Sequence, residues 1–538
     1  MTAPILKSGS VDQRIFVRRV LLSLLLAAVC LTGLWSASAG THPDEATYLS
    51  IAAEMADRGA WATTWLEGEP NFYKPPLFYW AQRVSMGVLG PTLFAGRLPS
   101  ALSALVLALL VGALARRMGG AASGGVSGSL NREALAALLT VTSFGLLRFG
   151  RVAMMDASLT LALAVAAYGV WRGVEEKAPR AFLWCGAGAG AAVMLKGPVG
   201  ALLVLLLCVG FTAVRAPRLL LGRYPLAAVG LAALLAVPWF AVAFAEHGRA
   251  FFDSFFLREN AGKFSGAWTL SGEAGLLGAG LVLTLPWTFL FLGGLRGLRQ
   301  WREPARLLPA VWIGALVLVY SLPSVKFPHY LLPCVPAAVL LAVRAPPPAW
   351  ARWATAALLG LVALAAALLL RLPLSPVALA SLAVVAGLFA AASFLAARCR
   401  LAPAALCVAA ATALLLTAVF PAVNPSPLPD SALEAAGDRA LYFYGGNAGL
   451  YRFEAHRLVR RAWNEEHFAG SLREGALVIV SAADFEALSE ATRGQATPAA
   501  RWPRLKRRLP VSAFLDAWKG RDLAPLYEEM LLVNRSGN

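Results

Sequence analysis

Residues 20–39 read VLLSLLLAAVCLTGLWSASA, and residues 41–80 read THPDEATYLSIAAEMADRGAWATTWLEGEPNFYKPPLFYW. The first stretch is apolar and of the length that crosses a bilayer, about 20 residues. The second interrupts it with Asp44-Glu45, a tyrosine one helical turn later (Tyr48), and then Asn71-Phe72-Tyr73-Lys74-Pro75-Pro76. Acids and a lysine held at a membrane surface suit chemistry on an anionic lipid. The plain alternative is a surface helix, in which Pro43 occupies the first turn and Asp44 and Glu45 complement the helix dipole.

The composition of the whole chain fits a membrane setting. Of 538 residues, 58% are hydrophobic and 14% are charged, and the mean hydropathy is +0.64. Soluble domains carry about 25% charged residues. The net charge of +18 does not point to nucleic acid, because most of the basic residues fall in short loops between apolar runs. Positive charge there sets the orientation of spans. The six cysteines all lie in or beside apolar segments, with neither a disulfide framework nor metal-type spacing.

Apolar segments begin near Val20, Leu98, Ala134, Ser158, Phe182, Val199, Pro225, Ala274, Leu307, Leu331, Trp353, Pro376 and Ala402. They predict an α-helical polytopic membrane protein with about 13 transmembrane helices. Ser36-Ala37-Ser38-Ala39 resembles a signal-peptidase site, but the long apolar run and the spans after it favour an uncleaved first span. Starting from a cytoplasmic N-terminus, alternation puts the loops Arg116–Arg132, Arg172–Arg180, Arg215–Arg223, Arg296–Arg306, Arg344–Arg352 and Arg398–Arg400 inside, and all of them are basic. The C-terminus then lies outside. The predicted units are a transmembrane domain over 1–423, with a catalytic first outer loop at 40–92, and a small α/β periplasmic domain over 424–538. In the latter, Ala440–Tyr444 and Ala476–Ser481 read as strands, and Leu450–Trp463 and Ala483–Thr492 as helices.

The outer loops carry the distinctive charges. These are Lys74, Arg148 and Arg151 leading to Asp156, Lys196 in Lys-Gly-Pro, Phe251 through Glu259-Asn260, and Lys326 in Ser-Val-Lys-Phe-Pro-His-Tyr. Arg148 and Arg151 fit simple snorkelling to headgroups. Lys196 and Lys326 sit in tight Gly/Pro turns and fit it less well.

In this order on alternating outer loops, the motifs resemble those of the GT-C membrane glycosyltransferases, in the bacterial branch of lipid A aminoarabinose transferases and protein O-mannosyltransferase relatives. The residues that carry the resemblance are Asp44-Glu45 with Tyr48, Lys74-Pro75 with Trp80, Arg97-Leu98-Pro99-Ser100, Met155-Asp156, Lys196-Gly197-Pro198, Pro238-Trp239, Phe251–Glu259, and Ser324, Lys326, Tyr330 and Pro333. Two departures concern a metal. Tyr73 stands where many relatives have Glu, and Asn260 where they have His. Thr47 also replaces a frequent Arg. With those two ligands missing, no metal or other cofactor is expected, although His42 offers a replacement ligand.

The resemblance implies a polyprenyl-phosphate-sugar donor, inverting transfer, and a lipid, glycan or protein acceptor. It assigns Asp44 and Glu45 to catalysis, Lys74, Lys196, Lys326 and Arg97 to the donor phosphate, and Tyr48, Tyr73, Asp156, Glu259, Asn260 and Tyr330 to substrate binding. Cations in a site of low dielectric stabilise a leaving phosphate. A carboxylate is needed as base only when the acceptor is a hydroxyl. A transporter or flippase of a lipid-linked sugar is the main rival. It predicts mid-membrane ionisable groups and repeated halves, and the sequence has neither. A membrane scaffold is a third reading, but it gives no reason for Asp44, Lys196 and Lys326 to share one face.

Overall fold

The computed structural model describes residues 8–36, 43–119, 125–264, 269–424, 427–445, 449–455, 457, 459–506 and 510–536. Ala37–Ala39 of the signal-peptidase-like sequence and His42 lie outside these residues.

Helix α1 (Ser8–Leu31) leads to α2 (Pro43–Asp57), the first helix of the stretch expected to form the first outer loop. A hairpin follows, with strands β1 (Trp65–Leu66) and β2 (Glu69–Pro70). Its turn residues Glu67 and Gly68 both have positive φ, 56° and 89°, as a two-residue hairpin turn of matching twist requires. Then come α3 (Leu77–Leu89), α4 (Leu93–Met118), α5 (Gly125–Val141), the short α6 (Phe144–Phe149), α7 (Asp156–Val174), α8 (Phe182–Lys196), α9 (Pro198–Arg215) and α10 (Arg223–Phe252). Helix α10 breaks at Gly248 (φ 52°) and runs into a π-helical stretch, Asp253–Asn260. The bent pair α11 (Leu270–Leu283) and α12 (Thr288–Gly294) precedes α13 (Pro304–Ser321), α14 (Cys334–Ala342), α15 (Ala349–Leu368), α16 (Pro376–Ala397) and α17 (Leu401–Leu414).

Each of the thirteen apolar segments is helical, but they differ in length. Among the described residues, eight helices are long and apolar enough to cross a membrane, or nine if the bent α11–α12 pair counts as one. Helices α5 and α8 have 17 and 15 residues, and α14 has 9. Short helices of this kind are tolerated where they are buried in protein rather than in lipid. Most of α14 is indeed buried.

The basic loops meet on one face. Arg117 pairs with Glu176 at 2.7 Å and Arg215 with Glu175 at 2.8 Å, and Arg344 donates to the Met118 carbonyl at 2.6 Å. The ends of α4, α7, α9 and α14 are tied together there. The opposite face carries α2, α3, the start of α7, the end of α8 and the end of α10.

The sheet lies on that opposite face, in the order β4-β3-β5-β7-β6. Strands β3 (Leu441–Tyr444), β4 (Val459–Ala462) and β5 (Leu477–Ser481) are parallel, and β6 (Ala496–Leu505) and β7 (Tyr527–Arg535) add antiparallel. The two expected strands are β3 and β5. The expected helix Leu450–Trp463 is a correction: it stops at Glu454, and Val459–Ala462 is a strand. That VRRA segment buries Val459 and Ala462 and pairs with β3, so edge pairing overrides a helix-compatible composition. Strand β6, with Pro498 and Pro503, takes the other edge with a bulge at Pro498/Ala500, the position proline tolerates.

The sheet is anchored on α2 and α15 at several points. Arg452 pairs with Asp57 of α2 at 2.6 Å, Phe453 packs with Leu49, Ala52 and Ala53, and Trp518 donates to the Leu368 carbonyl at 2.9 Å.

Candidate active site

Residues Asp44, Tyr48, Ile51 and Met55 recur at helical spacing and share one face of α2. Ile51 and Met55 are fully buried against Tyr79 of α3. Tyr48 stands edge-on to Tyr79, with ring centroids 5.6 Å apart. Burial, followed by the neighbouring Tyr79, Asp156, Asp44 and Tyr330, pushes the Tyr48 hydroxyl well above its usual range. It therefore remains a neutral donor. Burial also raises Tyr79, followed by Asp44 and Glu259. Asp44, Asp156, Glu259, Tyr48 and Tyr330 thus surround one space.

Lys196 ends α8 as the chain reverses at Gly197 (φ 74°). A β-carbon at Gly197 would come within 2.9 Å of the Phe255 ring, so both conformation and packing demand glycine. The turn aims Lys196 at Asp156, 2.9 Å away, with side chains 10% and 3% exposed. The ammonium also lies 4.8 Å from the centre of the Tyr330 ring and 5.7 Å from that of Tyr320. Asn260 sits beside this turn and donates to the Phe255 carbonyl at 2.7 Å.

Lys74 lies 3.6 Å from Glu259, and so does Lys263. Two lysines thus share the one carboxylate of Glu259. Burial, then Lys263, lowers Lys74 from its usual value to about 8, although Glu259 opposes the shift. This sets a pH dependence. Lys74 is charged and holds an anion below about 8, and the charge is lost above it. Affinity for a lipid phosphate is expected to fall as pH rises from 7 to 9, beyond what Lys74→Arg shows over the same range. A flat profile in the wild type would count against Lys74 as a phosphate contact.

Other expected residues are placed differently. Arg97 and Glu45 are both fully buried and pair with each other at 2.7 Å and 3.2 Å. Arg97 also donates to the carbonyls of Leu34 (2.9 Å) and Ser36 (2.7 Å), and the Ala153 amide donates to Glu45 at 2.8 Å. Neither side chain has any exposed surface. Their role is to hold the start of α2 against α4 and the Ala153 segment. Lys326 pairs with Glu273 at 2.8 Å and is 6% exposed. Its neighbour Ser324 binds the Lys263 carbonyl at 3.0 Å, so this loop positions Lys263 instead of facing the cluster. The Tyr73 ring is 46% exposed, and its carbonyl, not its phenol, meets Lys74 (3.0 Å). Arg151 does not snorkel: it is buried and donates to the carbonyls of Thr32 (3.1 Å), Leu147 (2.8 Å) and Val29.

The residues that sequence reading missed are Lys263, Tyr79 and Tyr320. Lys263 had a signal, since it follows Glu259 by four positions in a helical stretch. Tyr79 and Tyr320 lie within apolar runs and belong to none of the motifs.

An apolar groove of about 490 Å³ runs between α3, α4, α7 and α8, lined by Leu77, Phe78, Leu102, Leu161 and Leu195 among others. Leu77 follows Lys74 by three residues and Leu195 adjoins Lys196, so the groove lies beside the charged cluster. Among the described residues no group of three or more His, Cys, Asp or Glu is placed to hold a metal.

A charged cluster at one end of a polytopic helical bundle, beside an apolar groove, has the form of a GT-C membrane protein. Comparison with known proteins agrees. Residues 73–241 match the family described as dolichyl-phosphate-mannose-protein mannosyltransferase. The chain is similar to an undecaprenyl phosphate-alpha-4-amino-4-deoxy-L-arabinose arabinosyl transferase of Pseudomonas fluorescens, with 31% identity over 57% of this chain and 53% of the relative. It is also similar to that of Serratia proteamaculans, with 31% identity over 56% and 55%. The matches span about half the length of these curated relatives. The fold is that of ArnT from Cupriavidus metallidurans. The apo crystal structure superposes with a TM-score of 0.72 over 98% of both chains, and the one bound to undecaprenyl phosphate with 0.67 over 99% of both, at 19% identity. The chain is thus a multi-pass membrane protein with the fold of ArnT, similar in sequence to aminoarabinose transferases over about half of their length.

Proposed function

We propose that the protein transfers a sugar from a polyprenyl-phosphate donor to an acceptor on the periplasmic side of the inner membrane. The observation that carries this reading is the pair Lys74 and Lys263 sharing Glu259 next to an apolar groove, beside Asp44. The groove suits an isoprenoid tail and the paired lysines suit its phosphate. As the sugar C1–O bond to phosphate breaks, negative charge gathers on the leaving oxygen. Cations fixed in a site of low dielectric stabilise it more than water does. Lys196 is neutralised by Asp156 and acts mainly by orienting Tyr330 and the donor. With a hydroxyl acceptor, the new C1–O bond forms from the face opposite the phosphate and the proton passes to Asp44. With a phosphate acceptor no base is needed, and Asp44 orients the acceptor.

The family and relatives are named for polyprenyl-phosphate-linked sugars, which makes a 4-amino-4-deoxy-pentose the first sugar to test. A lipid acceptor is favoured over glycan or protein because the cluster lies beside a membrane groove. The C-terminal sheet shares the face of the cluster and is assigned to the periplasm. A flippase reading is disfavoured, since the charged groups gather at helix ends on one face.

Mass spectrometry of envelope lipids from cells with and without the gene tests the function. Loss of one sugar from a lipid species is the expected result, and identical profiles with a working assay would contradict it. The transfer is also expected to survive a strong chelator, because Tyr73 and Asn260 stand where the relatives offer metal ligands. Loss of activity restored by a single divalent ion would reverse this, and would implicate His42 with Asp44.

A further inference from the structure

A pocket of about 270 Å³ opens on the basic face, away from the reaction cluster. It lies between the end of α12 with the helical stretch after it (Leu295–Gln300), the start of α13, the end of α14 and the Ala345–Pro348 segment. Three glycines let these elements close up. A β-carbon at Gly293 would come within 2.9 Å of Pro348, one at Gly294 within 3.0 Å of the α14 backbone, and one at Gly297 within 2.7 Å of the Arg306 guanidinium.

Arginines reach this pocket from three elements. Arg306, on α13, pairs with Glu303 at 2.6 Å and donates to the Gly297 carbonyl at 2.8 Å. Arg344, after α14, donates to the Met118 carbonyl at 2.6 Å and also pairs with Glu303. Both side chains are 20% exposed. Arg296, after α12, makes no ion pair among the described residues, and its guanidinium lies 5.5 Å from the centre of the Trp350 ring. Burial, and then the nearby Arg132, lowers Arg344 from its usual value. A bound anion would oppose both effects.

Basic loops on this face orient the helices, and that alone accounts for scattered, solvated arginines. It does not account for a pocket in which two arginines are fixed by carbonyls and a shared acid while a third is left to a tryptophan. Over 295–306 and 344–352 the chain has six arginines and one acid, Glu303.

The residues around the pocket set its depth. Trp301, in the loop before α13, and Trp350 and Trp353, at the start of α15, are all exposed. Exposed tryptophan marks the headgroup level of a bilayer. Leu290 and Leu341 form an apolar side of the same pocket. Planar guanidinium groups bind phosphate through paired hydrogen bonds. A soluble phosphate would use the arginines but neither the leucines nor the tryptophans.

We propose that this pocket seats the phosphodiester headgroup of an anionic phospholipid from the leaflet on the basic face. Basic pockets between membrane helices suit such headgroups. The site is separate from the Asp44–Lys74 cluster, which lies on the opposite face, and it does not depend on the transferase reading.

The test uses the full-length protein in phosphatidylcholine nanodiscs containing a minor share of phosphatidylglycerol. Native mass spectrometry counts the lipids that stay bound as the disc is stripped away. Phosphatidylglycerol should be retained about tenfold or more over phosphatidylcholine, the effect of roughly one charge-assisted contact. Arg296→Ala, at an exposed position without an ion pair, should lower that preference severalfold, and Arg296→Ala/Arg306→Gln should remove it. Arg218→Ala, an exposed change in another basic loop, should preserve it, and so should Lys74→Ala/Lys263→Ala at the reaction cluster. Equal retention of the two lipids by the wild type overturns the proposal. So does a preference that is unchanged in Arg296→Ala, or one that is lost in Arg218→Ala or in the lysine variant. Added glycerol 3-phosphate tests the source of the phosphate. Retention that it leaves unchanged supports a membrane ligand, whereas displacement by it overturns the lipid assignment and makes the pocket a site for soluble phosphate esters.

Discussion

Replacing Asp44 by asparagine is expected to cut transfer to a hydroxyl acceptor by about 10²–10⁴, the usual worth of a positioned general base. Donor binding and thermal stability should hardly change. Asp44 lies in the first turn of α2, on the face shared with Tyr48, and acts on both Tyr48 and Tyr79. Asparagine keeps its size and much of its hydrogen bonding but does not take the proton. If Asp44 served only the helix dipole, the change would cost about 0.3–1 kcal/mol of stability and little turnover. Full turnover with a hydroxyl acceptor would eliminate Asp44 as base, and the phosphate-acceptor route would then account for the reaction.

The neighbouring position should behave in the opposite way. Glu45→Ala leaves the Arg97 guanidinium buried without its carboxylate, and also strips the Ala153 amide of its acceptor. Breaking a buried ion pair by removing one partner costs about 3–5 kcal/mol. The variant is expected to express poorly and melt well below the wild type, with activity lost in proportion to folded protein. Arg97→Ala should match it, and the double change should be milder than the sum of the two. A Glu45→Ala protein of normal melting temperature and no turnover would return Glu45 to the catalytic group.

These two adjacent acids mark what was legible in the sequence. The order of motifs on alternating loops brought Asp44, Tyr48, Lys74, Asp156, Lys196, Glu259 and Tyr330 to one place, as the structure shows. Motif order does not reveal which way a side chain points. Positions 44 and 45 are about 100° apart on a helix, so one faces the cluster and the other faces α4. Arg97 and Lys326 looked like free cations because their partners, Glu45 and Glu273, are distant in sequence or lie outside any motif. Arg151 looked like a snorkelling charge, but in the structure it binds carbonyls at the end of α1. The apolar runs gave the helices well and their lengths poorly, since α5, α8 and α14 are short and packed within protein. In the sheet, VRRA lacks the alternation that marks a strand, and its strand state comes from pairing with β3.

In the proposed reaction the cluster breaks the bond between a sugar and a lipid phosphate. Purified protein in liposomes, supplied with an undecaprenyl-phosphate-linked aminopentose and an envelope lipid extract, gives the decisive experiment. Mass spectrometry then follows the donor. Free undecaprenyl phosphate should accumulate together with a glycosylated acceptor lipid, the new linkage should have inverted anomeric configuration, and Lys74→Ala/Lys263→Ala should slow both products together. Intact donor moving between leaflets, with no undecaprenyl phosphate released by the wild-type protein, would contradict the account.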